Sequence, residues 1–355
     1  MKRRRKWVGI LMMAVVLFAG CNNGGDLPDP EVPKQDDVKQ ESERTDISAQ
    51  KESEPEQEKQ TLLEESPFNP EMIEELGESL QVFYGWTVVN YDGSSRKLEF
   101  GEERTVDLKM ELESTHACEV GYMIFVDGIP QKYRVGEEEG YVIPVDCEKG
   151  ISYATLEFSP VVSETKEEHT VIFACMFHPD FRASEENMDY GNYHSISQVL
   201  PWTINGDFSE QDFVISTDVV YCPIAEEIKE QYTRVNRDGT VVRQYDSTLF
   251  KRFYQKGTET LRFEGKENAQ LVLFGGEERT YRVSLFVDHQ PVAAFSGAEY
   301  VDVTVKKDQM AVIDLDLSPV EISDYSCLYA ILWSDLMGDA QTSTVEKTDS
   351  ITLFR

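Results

Sequence analysis

The chain has 355 residues, enough for two or three domains with well-filled cores. Sixty-six acidic against 34 basic residues give a net charge of −32, and the five charged residues in the first twenty positions are all basic, so the remainder is more acidic still. Such a field repels phosphate backbones and anionic headgroups and argues against nucleic-acid binding. Six cysteines, at 21, 118, 147, 175, 222 and 327, form no C-x-x-C and no Cys/His pair at zinc spacing, and no segment carries an EF-hand loop. The sequence therefore points to no metal site and no cofactor.

Lys2-Arg3-Arg4-Arg5-Lys6 precede an apolar run of 13 residues, Trp7 to Ala19. A membrane-spanning helix needs about 20 apolar residues, so this run has the length of a signal-peptide core. It ends in Phe18-Ala19-Gly20-Cys21, which resembles the lipobox of bacterial lipoproteins, with Phe18 where that family usually has Leu. The resemblance covers residues 1–21 only. It implies cleavage before Cys21, a diacylglycerol on the Cys21 thiol, and a lipid-anchored position on the extracytoplasmic face of a bacterial membrane. With Cys21 consumed by lipid, five cysteines remain, an odd number that argues against a disulfide-dense scaffold. Cys118 with Cys147 is the best single candidate for a bridge.

Residues 22–66 combine Asn, Gly, Pro, Glu, Gln, Lys and Ser with almost no aromatic or β-branched periodicity. Such a segment cannot offset its ordering entropy and is expected to be a disordered acidic tether, with a root-mean-square span of about 35–40 Å. Asn69-Pro70-Glu71-Met72-Ile73-Glu74-Glu75-Leu76 then has an N-cap, a proline at the first helical position and acids in the first turn, which predicts a short helix to about Val82. Pro223-Ile224-Ala225-Glu226-Glu227-Ile228 is a weaker echo of it.

A longer pattern repeats. Phe125-Val126-Asp127-Gly128-Ile129-Pro130 leads to Ser159-Pro160-Val161, and Phe286-Val287-Asp288-His289-Gln290-Pro291 leads to Ser318-Pro319-Val320. The FVD triplets lie 161 positions apart and the SPV triplets 159. Trp86-Thr87-Val88-Val89-Asn90-Tyr91-Asp92-Gly93 likewise matches Tyr232-Thr233-Arg234-Val235-Asn236-Arg237-Asp238-Gly239. Within each copy the apolar period is two. Segments 105–113, 121–126, 131–135, 141–147, 151–158, 169–177 and 197–204 read as strands between turn residues, and Ile313, Leu315 and Leu317 alternate with Asp314, Asp316 and Ser318. Asp127-Gly128 signals a tight hairpin.

About seven strands per copy predict an all-β protein, two tandem antiparallel β-sandwiches related by duplication and loosely similar in layout to immunoglobulin-like and fibronectin-like modules. The expected division is a signal peptide over 1–20, a lipid-anchored tether over 21–66, one sandwich with its short helix over 67–210 and a second over 211–355. The extra residues of the second copy, 240–260, read equally as a hairpin or a helix.

Chemistry is harder to find. There is no G-x-S-x-G, H-E-x-x-H or P-loop. Cys175 and His178 are three apart on a strand, which places them on opposite faces. His169 follows Glu167-Glu168 and reads as solvated surface. Copy two carries Trp333 and Asp335 where copy one has His178 and Asp180. The loop after the late strand of copy one contains Tyr190, Asn192 and Tyr193, the mix of rigid aromatic and adaptable polar contact found in binding loops, while residues 337–349 of copy two contain no aromatic. Trp86 and Trp202 sit in strand patterns and read as core. Lys251-Arg252-Phe253-Tyr254 with Lys256 reads as an amphipathic edge strand guarded by lysine. The best-supported reading is a non-catalytic lipoprotein that binds or presents an envelope protein or a glycan through sandwich loops. A structural spacer, and a wall or glycan hydrolase with a site between the modules, are the alternatives.

Overall fold

Val106, Leu108, Met110 and Leu112 alternate with Asp107, Lys109, Glu111 and Glu113, and in a computed structural model they form a strand whose apolar side chains are all buried. The structure describes residues 84–100, 104–164, 166–184, 190–206, 208–237, 239–255, 262–266, 268–334 and 343–355. The signal-peptide core, Cys21, the tether and the helix expected at 69–82 lie outside the described residues.

The chain folds as two antiparallel, immunoglobulin-like β-sandwiches in tandem, one from each copy of the repeat. In the first, β1 (Tyr84–Val88), β3 (Val106–Ser114), β9 (Gly150–Phe158), β6 (Tyr133–Val135) and β7 (Glu138–Gly140) form one sheet in that order. The facing sheet runs β2 (Lys97–Leu98), β13 (Trp202–Ile204), β11 (His169–Phe177), β4 (Cys118–Val126) and β5 (Ile129–Gln131). β8 (Pro144–Cys147) also pairs with β4, and β12 (Ile196–Gln198) with β11; β10 (Val161–Val162) and β14 (Ser209–Glu210) form a short parallel pair.

The second sandwich repeats this plan. β16 (Val220–Pro223), β25 (Gln309–Asp314), β21 (Ala269–Phe274) and β19 (Phe250–Gln255) make one sheet. β15 (Ile215–Ser216), β24 (Tyr300–Val305), β22 (Arg279–Val287), β26 (Tyr325–Ser334), β28 (Ile351–Phe354) and β20 (Arg262–Glu264) make the other, with β23 (Gln290–Val292) on β22 and β27 (Thr344–Lys347) on β26. Helix α1 (Glu226–Tyr232) and the hairpin of β17 (Arg234–Val235) with β18 (Val241–Arg243) precede β19.

The repeated FVD occupies one position in both sandwiches, the end of the central strand β4 or β22. Each triplet runs into a two-residue hairpin whose central residues both have positive φ: 49° and 80° at Asp127 and Gly128, 47° and 66° at Asp288 and His289. These are type I′ values. The aspartate closes the turn against the neighbouring strand: the Thr170 amide donates to Asp127 Oδ1 at 2.9 Å and the Cys327 amide to Asp288 Oδ1 at 2.8 Å.

Two sequence readings change. The match between Trp86–Gly93 and Tyr232–Gly239 is not an equivalence of strands, because Trp86 lies in β1 whereas Tyr232 ends α1. The partner of β1 in the second sandwich is β19, which pairs with β21 as β1 pairs with β3. The extra segment therefore supplies a hairpin and the counterpart of the first strand. The interval between the sandwiches is also ordered: β15 extends the edge at β24 and β16 the edge at β25, so the connecting chain covers one open edge of each sheet of the second sandwich.

Candidate functional site

Two strands in each copy are buried on both faces. In β4, Val120, Tyr122, Ile124 and Val126 are buried on one face, and Met123 and Phe125 on the other; in β11, Phe173 and Cys175 alternate with Ile172, Ala174 and Met176. A strand buried on one face shows alternation, and a continuous apolar run means cover on both. The second cover is the other copy. Met123, Phe125, Ile172, Ala174 and Met176 form one apolar cluster with Phe286, Cys327, Tyr329, Ile331 and Val345 of the second sandwich. Corresponding faces meet, as across a pseudo-two-fold. The turns reciprocate: Gly128 sits so close to Trp333 that a Cβ there would lie 2.7 Å from the indole, while His289 Nε2 lies 2.7 Å from the Pro179 carbonyl. Residues 83–355 accordingly form one compact unit.

A polar cluster lies in this seam. His194 and His289 are buried, with ring centroids 5.2 Å apart. Each Nε2 faces a carbonyl of the first sandwich, Phe181 at 3.0 Å and Pro179 at 2.7 Å, so each must donate there. Each Nδ1 is then an acceptor: for His194 from Ser350 Oγ at 3.2 Å and the Cys327 thiol at 3.3 Å, for His289 from the Tyr329 hydroxyl at 3.0 Å. Both rings are neutral. Burial pulls the pKa of His194 down to about 2 and that of His289 down to about 4, and the nearby Arg182 and Lys347 charges push the same way. Burial likewise lowers Lys347 to about 8; its ammonium sits 4.6 Å from the Tyr329 ring centroid and donates to Ser350 and to the Thr348 carbonyl. The ring nitrogens of both histidines are thus paired with groups of the seam itself, and the cluster ties the two sandwiches together.

The expected contact loop divides. Tyr190 is buried in the apolar seam, its ring 4.7 Å from His194 and 5.5 Å from Phe181, so it packs between the sandwiches and is not presented to solvent. Asn192 and Tyr193 are exposed. The turn that carries them is fixed by bonds from the Tyr193 amide to the Tyr190 carbonyl, from the Ser195 amide to Asn192, and by the paired bonds of Phe177 with Ser195 and His194. Tyr193, 38% exposed, packs on Phe181 at 4.2 Å, His178 at 5.3 Å and Phe177 at 6.2 Å, and Tyr84 stacks on Phe177 at 5.6 Å. The result is a half-exposed aromatic ledge at one end of the first sandwich, anchored from beneath by Tyr190. From the same end, Ile151 and Tyr153 project outward on β9 at 57% and 55% exposure. Met310 and Val312, two residues apart on β25 as those two are on β9, pack against the apolar cluster that includes Ile228 of α1.

The other candidates are structural. Trp202 is buried against Phe173 and Tyr91, and Trp86 lies half-buried against Tyr122 with its indole donating to Ser197 at 2.9 Å. Phe253 enters the core from edge strand β19, and Lys251 pairs with Glu346 at 2.7 Å. His169 is not surface: it opens β11 fully buried, with Nδ1 2.6 Å from Asp127 Oδ2, and Lys166 approaches the same carboxylate at 3.0 Å. The Asp127 carboxyl is held below its usual range: burial pushes it up, but the His169, Thr170 and Lys166 interactions together outweigh that. His169 Nε2 faces no hydrogen-bonding group and its ring abuts Phe208 at 4.6 Å, so the pair lacks a nucleophile. Among the described residues no group of three His, Cys, Asp or Glu is placed to hold a metal, and no helix is long and apolar enough to cross a membrane. A shallow, open depression beside α1 is lined by Glu226, Lys229, Tyr245 and Asp308, which pair with one another.

No family model and no curated protein matches the chain. Among solved structures it is similar to the CsuC–CsuE chaperone–tip adhesion subunit pre-assembly complex of Acinetobacter baumannii, at 12% identity over 73% of this chain and 94% of that one, with a TM-score of 0.17. Others are the CbhA fibronectin(III)-like modules of Clostridium thermocellum, at 8% identity over 76% and 93% with a TM-score of 0.17, and the major pilin subunit BcpA of Bacillus cereus, at 6% over 78% and 66% with a TM-score of 0.20. At these scores the likenesses carry no argument about function.

Proposed function

We propose that this is a non-catalytic, lipid-anchored protein of the extracytoplasmic face of a bacterial membrane, which binds an envelope protein through the loop end of its first sandwich. The observation that carries this reading is the aromatic ledge: Tyr193 and its neighbours stand at the surface on a turn that is rigidly bonded and anchored by Tyr190. Pre-ordered aromatic contact of this kind binds with little entropy lost, and the exposed Asn192 beside it adds adaptable hydrogen bonding. Support against a hydrolase with a site between the modules comes from the seam, which side chains of both sandwiches fill. The lipobox-like Phe18-Ala19-Gly20-Cys21 supports the anchor.

The test is capture by the mature protein of detergent-solubilised envelope proteins and, separately, of a purified wall-glycan fraction, beside an Asn192→Ala/Tyr193→Ala variant. Tyr190 stays intact, because its truncation would open the seam. A protein retained by the parent and lost by the variant supports the reading. Retention of glycan alone replaces the partner, and retention of nothing leaves a spacer. For the anchor, Cys21→Ser should move the protein from the membrane to the soluble fraction and abolish labelling by radioactive palmitate; unchanged membrane association would contradict it.

A further inference from the structure

We infer that Cys118 and Cys147 form a disulfide that clamps β8 onto β4 in the exported protein. The two residues are direct cross-strand partners in the antiparallel β4–β8 ladder. Facing residues in such a ladder have Cα atoms about 4.5 or 5.5 Å apart, according to whether the pair is hydrogen-bonded, and both distances fall inside the range of about 4.4–6.8 Å seen for cystines. Side chains directly opposite each other project to one face of a sheet, so both thiols leave on the same side. Both are buried, Cys118 at 7% and Cys147 at 4% exposure, near the end of the ladder. In this structure both are free thiols, Cys118 beside Ser114 Oγ at 3.4 Å and Cys147 donating to the Val145 carbonyl at 3.6 Å, so the bond forms by rotation of the two side chains toward each other.

The other cysteines are excluded by register. Cys175 on β11 faces Tyr122, four residues along β4 from Cys118, which at about 3.3 Å per residue is some 13 Å and beyond cystine reach. Cys222 faces Met310 in the second sandwich, and Cys327 lies in the seam beside His194. Among the described residues one pair alone is thus in position. This also resolves the odd count, with three thiols left separate and reduced.

Thiol–disulfide exchange forms the bond. One thiolate attacks a small disulfide oxidant such as oxidised glutathione and displaces one of its sulfurs as a thiolate. The second cysteine thiolate then attacks the mixed disulfide, closes the Cys118–Cys147 bond and releases the other sulfur. Two protons leave the protein thiols and the oxidant is reduced to two thiols. Burial raises both thiols, that of Cys147 to about 11, with the neighbouring Cys118 adding to the effect, so the folded pair holds little thiolate at neutral pH.

The inference rests on the export reading only for whether the bond is present in the cell. Two arms keep the failures apart. Unfolded, reduced mature protein is refolded with a glutathione redox pair, and protein exported by its own signal is recovered from cells with thiols trapped by acid and alkylated. Both are digested without reductant and mapped by mass spectrometry. The expected result in both arms is a linked peptide joining Cys118 to Cys147, alkylated Cys175, Cys222 and Cys327, and a melting temperature that falls on reduction by about 5–10 °C, a shift absent from a Cys118→Ala/Cys147→Ala variant. Free Cys118 and Cys147 after oxidative refolding, or a bridge to Cys175, would overturn the assigned geometry. A bridge in vitro with free thiols in cells would overturn the assignment to the exported protein and would point to export failing.

Discussion

His194 and His289 show how much the seam depends on single protonation states. Each ring donates to a backbone carbonyl and accepts from a hydroxyl or thiol, so a proton on Nδ1 would turn an acceptor into a donor facing a donor. Arg182 and Lys347 face the same cluster from the two sandwiches and add to the cost of a charge. In the unfolded chain both histidines titrate at the ordinary 6.5, whereas in the folded protein they stay neutral down to about 4 for His289 and about 2 for His194. As pH falls below 6.5 the unfolded state binds protons first, so stability present above that pH is progressively lost. By about pH 4.5 the loss should approach 2–3 kcal/mol per histidine. Urea midpoints measured from pH 7 downwards should therefore drop through this window, and a His194→Gln/His289→Gln variant should lose most of the slope whatever its absolute stability. A second residue-scale test is Gly128→Ala. It places a Cβ at positive φ and 2.7 Å from Trp333, and should cost about 2–4 kcal/mol by urea denaturation.

Among the elements, the FVD hairpins are the repeated device. Asp127 and Asp288 each accept an amide near the start of the adjacent strand; Asp127 also holds the buried His169 and the half-exposed Lys166, whereas Asp288 faces Arg182 at 3.7 Å. Asp127→Ala should thus cost about 3–5 kcal/mol, because it strands a buried imidazole, whereas Asp288→Ala should cost about 1.5–3 kcal/mol. Equal losses in calorimetry would mean that the His169 pair contributes nothing. The first hairpin was legible because Asp-Gly between apolar runs has one common solution, whereas Asp288-His289 carries no such signal and showed itself only in the fold. The strands were legible wherever one face meets water, as with Ile313, Leu315 and Leu317. The seam was not read, since Val120–Val126, Thr170–Met176 and Ser326–Leu332 lack alternation; that lack is itself the signal of burial on both faces. His169 and Tyr190 were misplaced for the converse reason. Each stands in a polar, loop-like stretch, and only tertiary packing draws it inward. The aromatic ledge was half legible: Tyr193 and Asn192 were named, but their partners Tyr84, Phe177, His178 and Phe181 come from different segments that meet only in the fold.

For the whole molecule, duplication has produced two sandwiches that bury corresponding faces against each other. The first sandwich made alone would expose Met123, Phe125, Ile172, Ala174 and Met176 together, a contiguous apolar patch of the kind that drives self-association. The seam also bears on the proposed recognition surface: it occupies the sheet faces on which the sandwiches meet, and Tyr190 and His194 tie the loop that carries Asn192 and Tyr193 to the second sandwich. The most direct test of this arrangement is differential scanning calorimetry of the mature protein. Two sandwiches sharing one seam should melt in a single transition whose calorimetric and van't Hoff enthalpies agree; two resolved transitions, or a calorimetric enthalpy about twice the van't Hoff value, would show independent modules and contradict the account.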